Sequence, residues 1–94
     1  MTYALIIHKV QDYATWKQVY DEEGPNRKAK GSKGATVLRN TNDHNHLVVI
    51  TEWENIDKAK NFVESDDLRI TMQKARVVGR PAVFYLEEIE KTQF

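Results

Sequence analysis

One histidine interrupts the apolar stretch ALIIHKV near the start of the chain, and its ring is the strongest candidate for a catalytic group in the sequence. A neutral imidazole, with an ordinary pKa of about 6.5, can accept a proton from a phenol or an enol near neutral pH. His8 is therefore predicted to act as a general base. The alternative is a core histidine whose ring nitrogens bind backbone groups or a neighbouring carboxylate such as that of Glu52.

Tyr85 is the second catalytic candidate, because a phenol buried in a strand needs a hydrogen-bond partner and could hold a substrate anion. Two arginines, Arg27 and Arg39, are candidate clamps for a carboxylate or a phenolate, since guanidinium groups bind these anions through paired hydrogen bonds. The alternative for both arginines is a solvated or loosely paired surface position.

Several large side chains have the character needed to line a cavity for a flat aromatic ligand. The alternative is that they only form the core, and this alternative is stronger for Trp16 and Phe62. The residues predicted to contact a ligand are Trp16, Tyr20, Arg27, Arg39, Trp53, Phe62 and Met72.

The remaining histidines define the best metal-binding candidate, and we expect no metal there. His44 and His46 lie close to Asp43 in a predicted turn, so three ligands from one loop could hold a divalent ion. A polar hairpin tip explains the same residues without an ion.

The bulk composition restricts the function classes. The chain has 94 residues, enough for a single domain spanning 1–94, and it has no cysteine, which excludes disulfides and thiolate metal sites. Lys plus Arg and Asp plus Glu both number 14, so no net field gathers nucleic acid. We see neither a signal-like segment nor an apolar run of membrane-spanning length. We therefore expect a cytoplasmic protein with no nucleic-acid or membrane partner.

The hydrophobic periodicity predicts strands at 3–10, 34–41, 46–54 and 81–90. Helical spacing follows Asp12, and a second helical region spans 55–79 with a break at ESDD. A break at Gly24–Pro25 is followed by a short turn of helix ending near Gly31. A turn is predicted at 42–45, Asp66 or Asp67 is expected to cap the last helix, and Gly79 with Pro81 is expected to end it.

The order β-α-β-β-α-β predicts an α+β ferredoxin-like fold, with a four-stranded antiparallel sheet and helices on one face. Both faces of the strands are largely apolar, as Leu5 and Ile7 on one side and Ala4 and Ile6 on the other illustrate. Helices cover only one face, so a monomer would expose the other. We predict a homodimer packed sheet to sheet into an α/β barrel; the alternative is a monomer.

Four segments carry a resemblance to a known family: YALIIHKVQDYATWKQVYDE, KGSKGATVLRN, NHLVVITEWENIDKAKNFVES and LRITMQKARVVGRPAVFYLEEI. They resemble the antibiotic biosynthesis monooxygenase-like family of dimeric α/β-barrel proteins, close to small members labelled as cyclases. The markers are a tryptophan on the first helix, EW at the end of the third strand and GRP before the fourth. Among the activities implied are cofactor-independent oxidation of polyketide phenols and isomerisation. Haem degradation is disfavoured, because family members that perform it use a helix histidine and neither predicted helix contains one.

The expected function follows from these residues and from the resemblance together. A homodimer would bind a small apolar or aromatic molecule between sheet and helices and oxidise or isomerise it without any cofactor. His8 would remove a proton, and Tyr85 or an arginine would hold the resulting anion. The alternative is a non-catalytic dimer whose pocket only binds a small ligand or is filled by its own side chains.

Overall fold

The structure, a computed structural model, describes all 94 residues and contains four strands and four helices. The sheet has the order β2-β3-β1-β4, and every neighbouring pair is antiparallel. This arrangement confirms the predicted ferredoxin-like fold. The elements are β1 (Thr2–Val10), α1 (Tyr13–Glu22), α2 (Gly24–Ala29), β2 (Ser32–Asn40), β3 (Asp43–Trp53), α3 (Ile56–Val63), α4 (Asp66–Lys74) and β4 (Val77–Glu87).

The first helical region begins as the sequence predicted. The carboxylate of Asp12 accepts hydrogen bonds from the backbone N–H of Thr15 at 3.0 Å and from its hydroxyl at 2.9 Å, which caps α1. Trp16 and Val19, three residues apart, are buried on one face of that helix. Pro25 lies in the first turn of α2, where its missing N–H costs nothing. The chain therefore turns between two helices without losing a backbone hydrogen bond.

The second helical region divides at Ser65, and the predicted cap at Asp66 or Asp67 was wrong. The Ser65 hydroxyl accepts from the backbone N–H of Leu68 at 3.1 Å and donates to the carbonyl of Phe62 at 2.7 Å. The two aspartates occupy the first turn of α4 instead, where their charge favours the positive end of the helix dipole. Ser65 takes the cap because it is the residue with extended backbone before the helix.

Replacing Ser65 by alanine is expected to lower the free energy of unfolding by about 1 kcal/mol, because the first turn of α4 loses its side-chain acceptor. Asp66→Ala is the matched control and should cost less, since Asp66 makes only an exposed 3.6 Å ion pair with Arg69. Urea denaturation of the two variants measures the difference. A larger loss in Asp66→Ala would show that the cap has been assigned to the wrong residue.

The end of the last helix also differs from the prediction, which placed it at Gly79 and Pro81. The helix ends at Lys74, and Arg76 adopts the left-handed conformation with φ 62° that usually follows a helix. Gly79, with φ 72°, lies inside β4, near where the pairing of β1 with β4 shifts register. Gly79 therefore supplies the positive φ that the irregular pairing in the strand requires, and it does not end a helix.

The hairpin between β2 and β3 is shorter than the predicted turn at 42–45. Only Thr41 and Asn42 separate the strands, because the Asn40 side chain accepts from the backbone N–H of Asn42 at 2.8 Å and closes the turn early. His44 and His46 consequently lie in β3.

Alternation along the two central strands divides the sheet into two faces. The buried face packs against the helices and carries Ala4, Ile6, His8 and Val10 of β1 beside Leu47, Val49, Thr51 and Trp53 of β3. The opposite face, here called the open sheet face, is also apolar. Cross-strand pairing aligns Thr36, Ile50, Leu5 and Phe84 in one row across all four strands. Phe84 is 51% exposed and Leu38 on the same face 50%, so nothing in the single chain covers this face.

None of the four helices has the length and apolar character that a membrane crossing requires.

Candidate functional site

A cleft lies between the buried sheet face and the helices, and most of its lining is hydrophobic. Its volume is about 80 Å³, enough for a few water molecules. Its lining includes His8 and Thr51 from the strands, Trp16, Tyr20, Phe62, Leu68, Thr71 and Met72 from the helices, and Glu23, Asn26 and Arg27 at a polar edge.

His8 is the most unusual residue in the cleft. Its side chain is only 6% exposed, and neither ring nitrogen has a hydrogen-bond partner or contact with solvent. The nearest aromatic ring is that of Trp16, with ring centroids 5.8 Å apart. Glu52 cannot serve as a partner, because it pairs with Tyr3 on the open sheet face. The structure therefore supplies neither the backbone group nor the carboxylate that a hydrogen-bonded core histidine would have.

The protonation state of His8 follows from its burial. Burial lowers the pKa of the imidazole from its ordinary value to about 4, and the neighbouring charge of His46 contributes in the same direction. The ring is neutral at pH 7, with one nitrogen free to accept a proton and the other free to donate one.

The lowered pKa predicts how stability changes with pH. Between about pH 6.5 and pH 4 the unfolded chain protonates His8 while the folded chain does not, so the free energy of unfolding should fall as the pH falls through this window. A shift of this size corresponds to about 3 kcal/mol. Denaturation curves at several pH values, for the wild type and for His8→Leu, isolate the contribution of this residue. Superimposable pH profiles would show that His8 is not buried in the neutral form.

Arg27 reaches the polar edge of the cleft and is held there by Tyr20. Its Nη1 donates to the Tyr20 carbonyl at 2.9 Å, and its guanidinium carbon lies 3.8 Å from the centre of the Tyr20 ring. That ring in turn stacks on Trp16 with centroids 4.9 Å apart. No carboxylate of the chain forms an ion pair with Arg27. The arrangement leaves donors free for an anion at the edge of the cleft.

Two predicted site residues lie outside the cleft. The Tyr85 hydroxyl donates to Glu64 at 2.8 Å, and Tyr85 pairs with Ala4, four residues along β1 from His8. Burial and the hydrogen bond to Glu64 raise the pKa of Tyr85 to about 12. Trp53 is fully buried in the core, where its indole N–H donates to the Thr51 hydroxyl at 2.8 Å.

Arg39 is the third predicted residue that the structure places elsewhere. It lies on the edge strand β2, with its guanidinium carbon 5.1 Å from the centre of the Tyr13 ring. The six that share the cleft are His8, Trp16, Tyr20, Arg27, Phe62 and Met72.

Sequence reasoning missed several cleft residues. Leu68 lies one turn before both Thr71 and Met72 on α4, so helical spacing would have signalled Leu68 and Thr71 once the start of this helix was known. Glu23 lies one turn before Arg27 in the same way. The spacing of Glu23 and Arg27 was not recognised, because the region after Gly24 was predicted as only a short turn of helix.

No group of three or more His, Cys, Asp or Glu side chains in the structure is arranged to hold a metal ion. The carboxylate of Asp43 is used locally: it accepts from the backbone N–H of Asn45 at 3.0 Å and lies 3.7 Å from the ammonium of Lys9. These contacts order the start of β3.

The sequence matches the family model of the antibiotic biosynthesis monooxygenases over residues 14–74, about two thirds of the chain. The chain therefore belongs to this family, as its resemblance indicated. No functionally curated protein matches the sequence.

Solved structures agree with this assignment at the level of the fold. A protein from Bordetella bronchiseptica described as an antibiotic biosynthesis monooxygenase is 17% identical, with a TM-score of 0.78 over 95% of this chain and 97% of that one. SnoaB, a cofactor-independent oxygenase from Streptomyces nogalater, is 14% identical, with a TM-score of 0.75 over 96% and 93%. The ActVA-Orf6 monooxygenase of Streptomyces coelicolor, in complex with nanaomycin D, is 20% identical, with a TM-score of 0.72 over 98% and 90%.

Proposed function

We propose that the chain is a cofactor-independent monooxygenase or isomerase that acts on a small aromatic, polyketide-like molecule in the cleft. The observation that carries this proposal is the pair of unpartnered ring nitrogens of His8, buried at an apolar cleft. Each such nitrogen costs about 1–3 kcal/mol, and a phenol or enol in the cleft would offset part of that cost by donating a hydrogen bond. The family includes proteins described as a cofactor-independent oxygenase and as a monooxygenase bound to nanaomycin D, which supports this class of reaction.

The proposed chemistry begins with proton transfer. The neutral ring of His8 accepts a proton from the substrate, and the imidazolium and the substrate anion form together in the cleft. Burial disfavours an isolated imidazolium, so the adjacent anion is what makes the transfer feasible. Arg27 at the cleft edge can donate hydrogen bonds to the anion.

Two outcomes are open to the anion. Its carbanion form adds O₂, and the imidazolium of His8 returns its proton to the resulting peroxide. The hydroperoxide then loses water and leaves a carbonyl, so one oxygen atom enters the product and the other leaves as water. If His8 instead returns the proton to a different carbon, the substrate is isomerised. Removal of the first proton is common to both reactions, and the experiment below is designed around that step.

The size of the cleft requires one of its walls to move. Ligand pockets usually enclose about 300–1,000 Å³, well above the 80 Å³ seen here. Two helices that line the cleft, α2 and α4, contain no buried residue. Few apolar contacts therefore oppose an outward displacement of either helix, and we infer that a ligand enters by displacing them.

The same volume favours the second candidate function, a non-catalytic module for small ligands. Trp16, Phe62 and Met72 line the cleft, and the space left between them is only about 80 Å³. In that case His8 would only recognise a hydrogen-bonding ligand.

Anthrone, whose acidic CH₂ group is activated by a carbonyl, is a suitable probe for separating these candidates. The protein should accelerate loss of deuterium from C10 of deuterated anthrone without oxygen, and its conversion with O₂ to anthraquinone and water. His8→Gln should slow both by about 10²-fold or more. His44→Gln, which alters an exposed histidine of β3 outside the cleft, should leave both unchanged. Binding without exchange would overturn the catalytic proposal in favour of the binding module.

We also propose that a second copy of the chain covers the open sheet face. The face is apolar across all four strands, and its exposed residues include Leu38, Phe84 and Leu86. Contiguous apolar surface of this kind is rarely left exposed on a soluble monomer. A twofold packing of this face on itself would cover it in both copies at once.

A further inference from the structure

We propose that the molecule bound in the cleft is an aromatic carboxylate, with its ring in the cleft and its carboxylate in an adjoining groove. This basic groove runs between α2 and the start of β2. Its lining contains Arg27, Lys28 and Lys33 and no acidic residue. The inference rests on the proposed function only in requiring that the cleft binds a ligand; it does not require turnover.

The cleft and the basic groove adjoin each other, because Tyr20 and Arg27 line both. A molecule with its ring in the cleft therefore passes the guanidinium of Arg27 as it extends into the groove. Three of the nine lining residues are glycines, and the Lys58 side chain lies against one of them, Gly31.

Arg27 is prepared for an anion before any ligand arrives. Stacking on the Tyr20 ring and the 2.9 Å hydrogen bond to the Tyr20 carbonyl fix the plane of the guanidinium. Only one of its five N–H groups is occupied by that bond, and no carboxylate of the chain pairs with it. A planar carboxylate can accept two parallel hydrogen bonds from such a group.

None of the nearby acidic side chains forms an ion pair with Arg27, Lys28 or Lys33. Glu52, whose Oε2 lies 3.7 Å from where a Cβ on Gly34 would stand, belongs to the open sheet face. Glu23 lines the cleft rather than the groove, and it accepts a hydrogen bond from the Asn26 side chain at 3.3 Å. Glu54 interacts with Lys33 only at longer range and is paired with Lys58 at 2.9 Å. A chain with no net charge thus has a local excess of positive charge beside its cleft.

The test compares two probes with the same ring, one charged and one neutral: 4-hydroxybenzoate and its methyl ester. Titration of ¹⁵N-labelled protein, followed by NMR, gives the dissociation constant and shows which residues respond. The acid should bind at least about tenfold more tightly than the ester at low salt, with shifts at His8 and Arg27, and the preference should shrink as salt is added.

Two arginine variants locate the source of the preference. Arg27→Gln should reduce the preference for the acid to about twofold or less. Arg39→Gln is the matched control, because Arg39 also lies over a tyrosine ring but outside both the cleft and the groove. Lys33→Gln, which leaves the Tyr20 contacts intact, should lower the preference about threefold and keeps the test valid if Arg27→Gln does not fold.

Equal affinities for acid and ester, with chemical shift changes in the cleft, would contradict the proposal that the ligand is a carboxylate. The cleft would remain a binding site. Equal losses in Arg27→Gln and Arg39→Gln would overturn the assignment to this groove. If neither probe shifted cleft residues, the inference and the binding step beneath it would both be overturned. Failure of deuterium exchange alone would count only against catalysis, so the two proposals fail separately.

Discussion

Replacing His8 by leucine is expected to raise the free energy of unfolding by about 1–3 kcal/mol while abolishing the proposed chemistry. The substitution removes two buried nitrogen atoms that have no hydrogen-bond partner and replaces them with apolar surface at a site that is only 6% exposed. For a domain of this size each kcal/mol raises the melting temperature by about 4–8 °C. Calorimetry and chemical denaturation above pH 7 measure the gain, and the anthrone assay measures the loss. A gain in stability coupled to a loss of activity is what a functional residue in an unfavourable environment produces.

Thr51→Val provides the matched control for stability. Thr51 is buried beside the same cleft, but its hydroxyl is satisfied: it accepts from the indole of Trp53 at 2.8 Å and donates to the carbonyl of Ala4 at 3.3 Å. Its removal leaves the buried indole N–H of Trp53 without an acceptor and should lower the free energy of unfolding by about 1–3 kcal/mol. If His8→Leu were as destabilising as Thr51→Val, the ring nitrogens of His8 would have partners in solution.

A lysine at Ile50 is expected to convert the proposed homodimer to monomers. Ile50 lies in the row across the open sheet face, paired with Leu5 of β1 and Thr36 of β2. The twofold axis would place two such lysines in one apolar interface, so the dimer dissociation constant should rise by about a thousandfold or more. A native mass spectrum should show two chains for the wild type and one for Ile50→Lys. An additional small mass on the wild-type dimer would reveal a bound ligand.

Ile70→Lys is the control for this experiment. Ile70 is 54% exposed on α4, away from the sheet, so the added charge should leave the two-chain mass unchanged. Circular dichroism of both variants establishes that each is folded. A wild-type spectrum with the mass of one chain at micromolar concentration would contradict the proposed dimer. The apolar character of the open sheet face would then have no explanation.

The sequence predicted the fold well because periodicity records which side of an element is buried. Alternation placed His8 on the same face as Ala4 and Ile6, and helical spacing placed Trp16 and Val19 together; the structure confirms both. The element ends were less predictable. Gly79 was interpreted as a helix stop because a positive φ serves a helix end and a strand irregularity equally well.

The site was predicted only in part, because its composition depends on how separate elements pack. Arg27 and Arg39 looked equivalent in the sequence. The reversal of the chain between α1 and α2 brings Arg27 onto Tyr20, seven residues earlier, and periodicity within one helix cannot reveal such a contact. Tyr85 was assigned to the site on its chemistry alone. The register of β4 against β1 takes it to Glu64 instead.

Two of the helices contribute buried residues to the core and the other two do not, and this difference has an evolutionary consequence. Trp16, Val19, Ala59 and Phe62, on α1 and α3, belong to the packed core, whereas α2 and α4 contribute contacts to the cleft but no buried residue. Substitutions at Arg27, Thr71 or Met72 can therefore alter which molecule is accepted while costing the fold little. Ligand selectivity can therefore change during evolution through substitutions on α2 and α4, while the sheet, α1 and α3 maintain the fold.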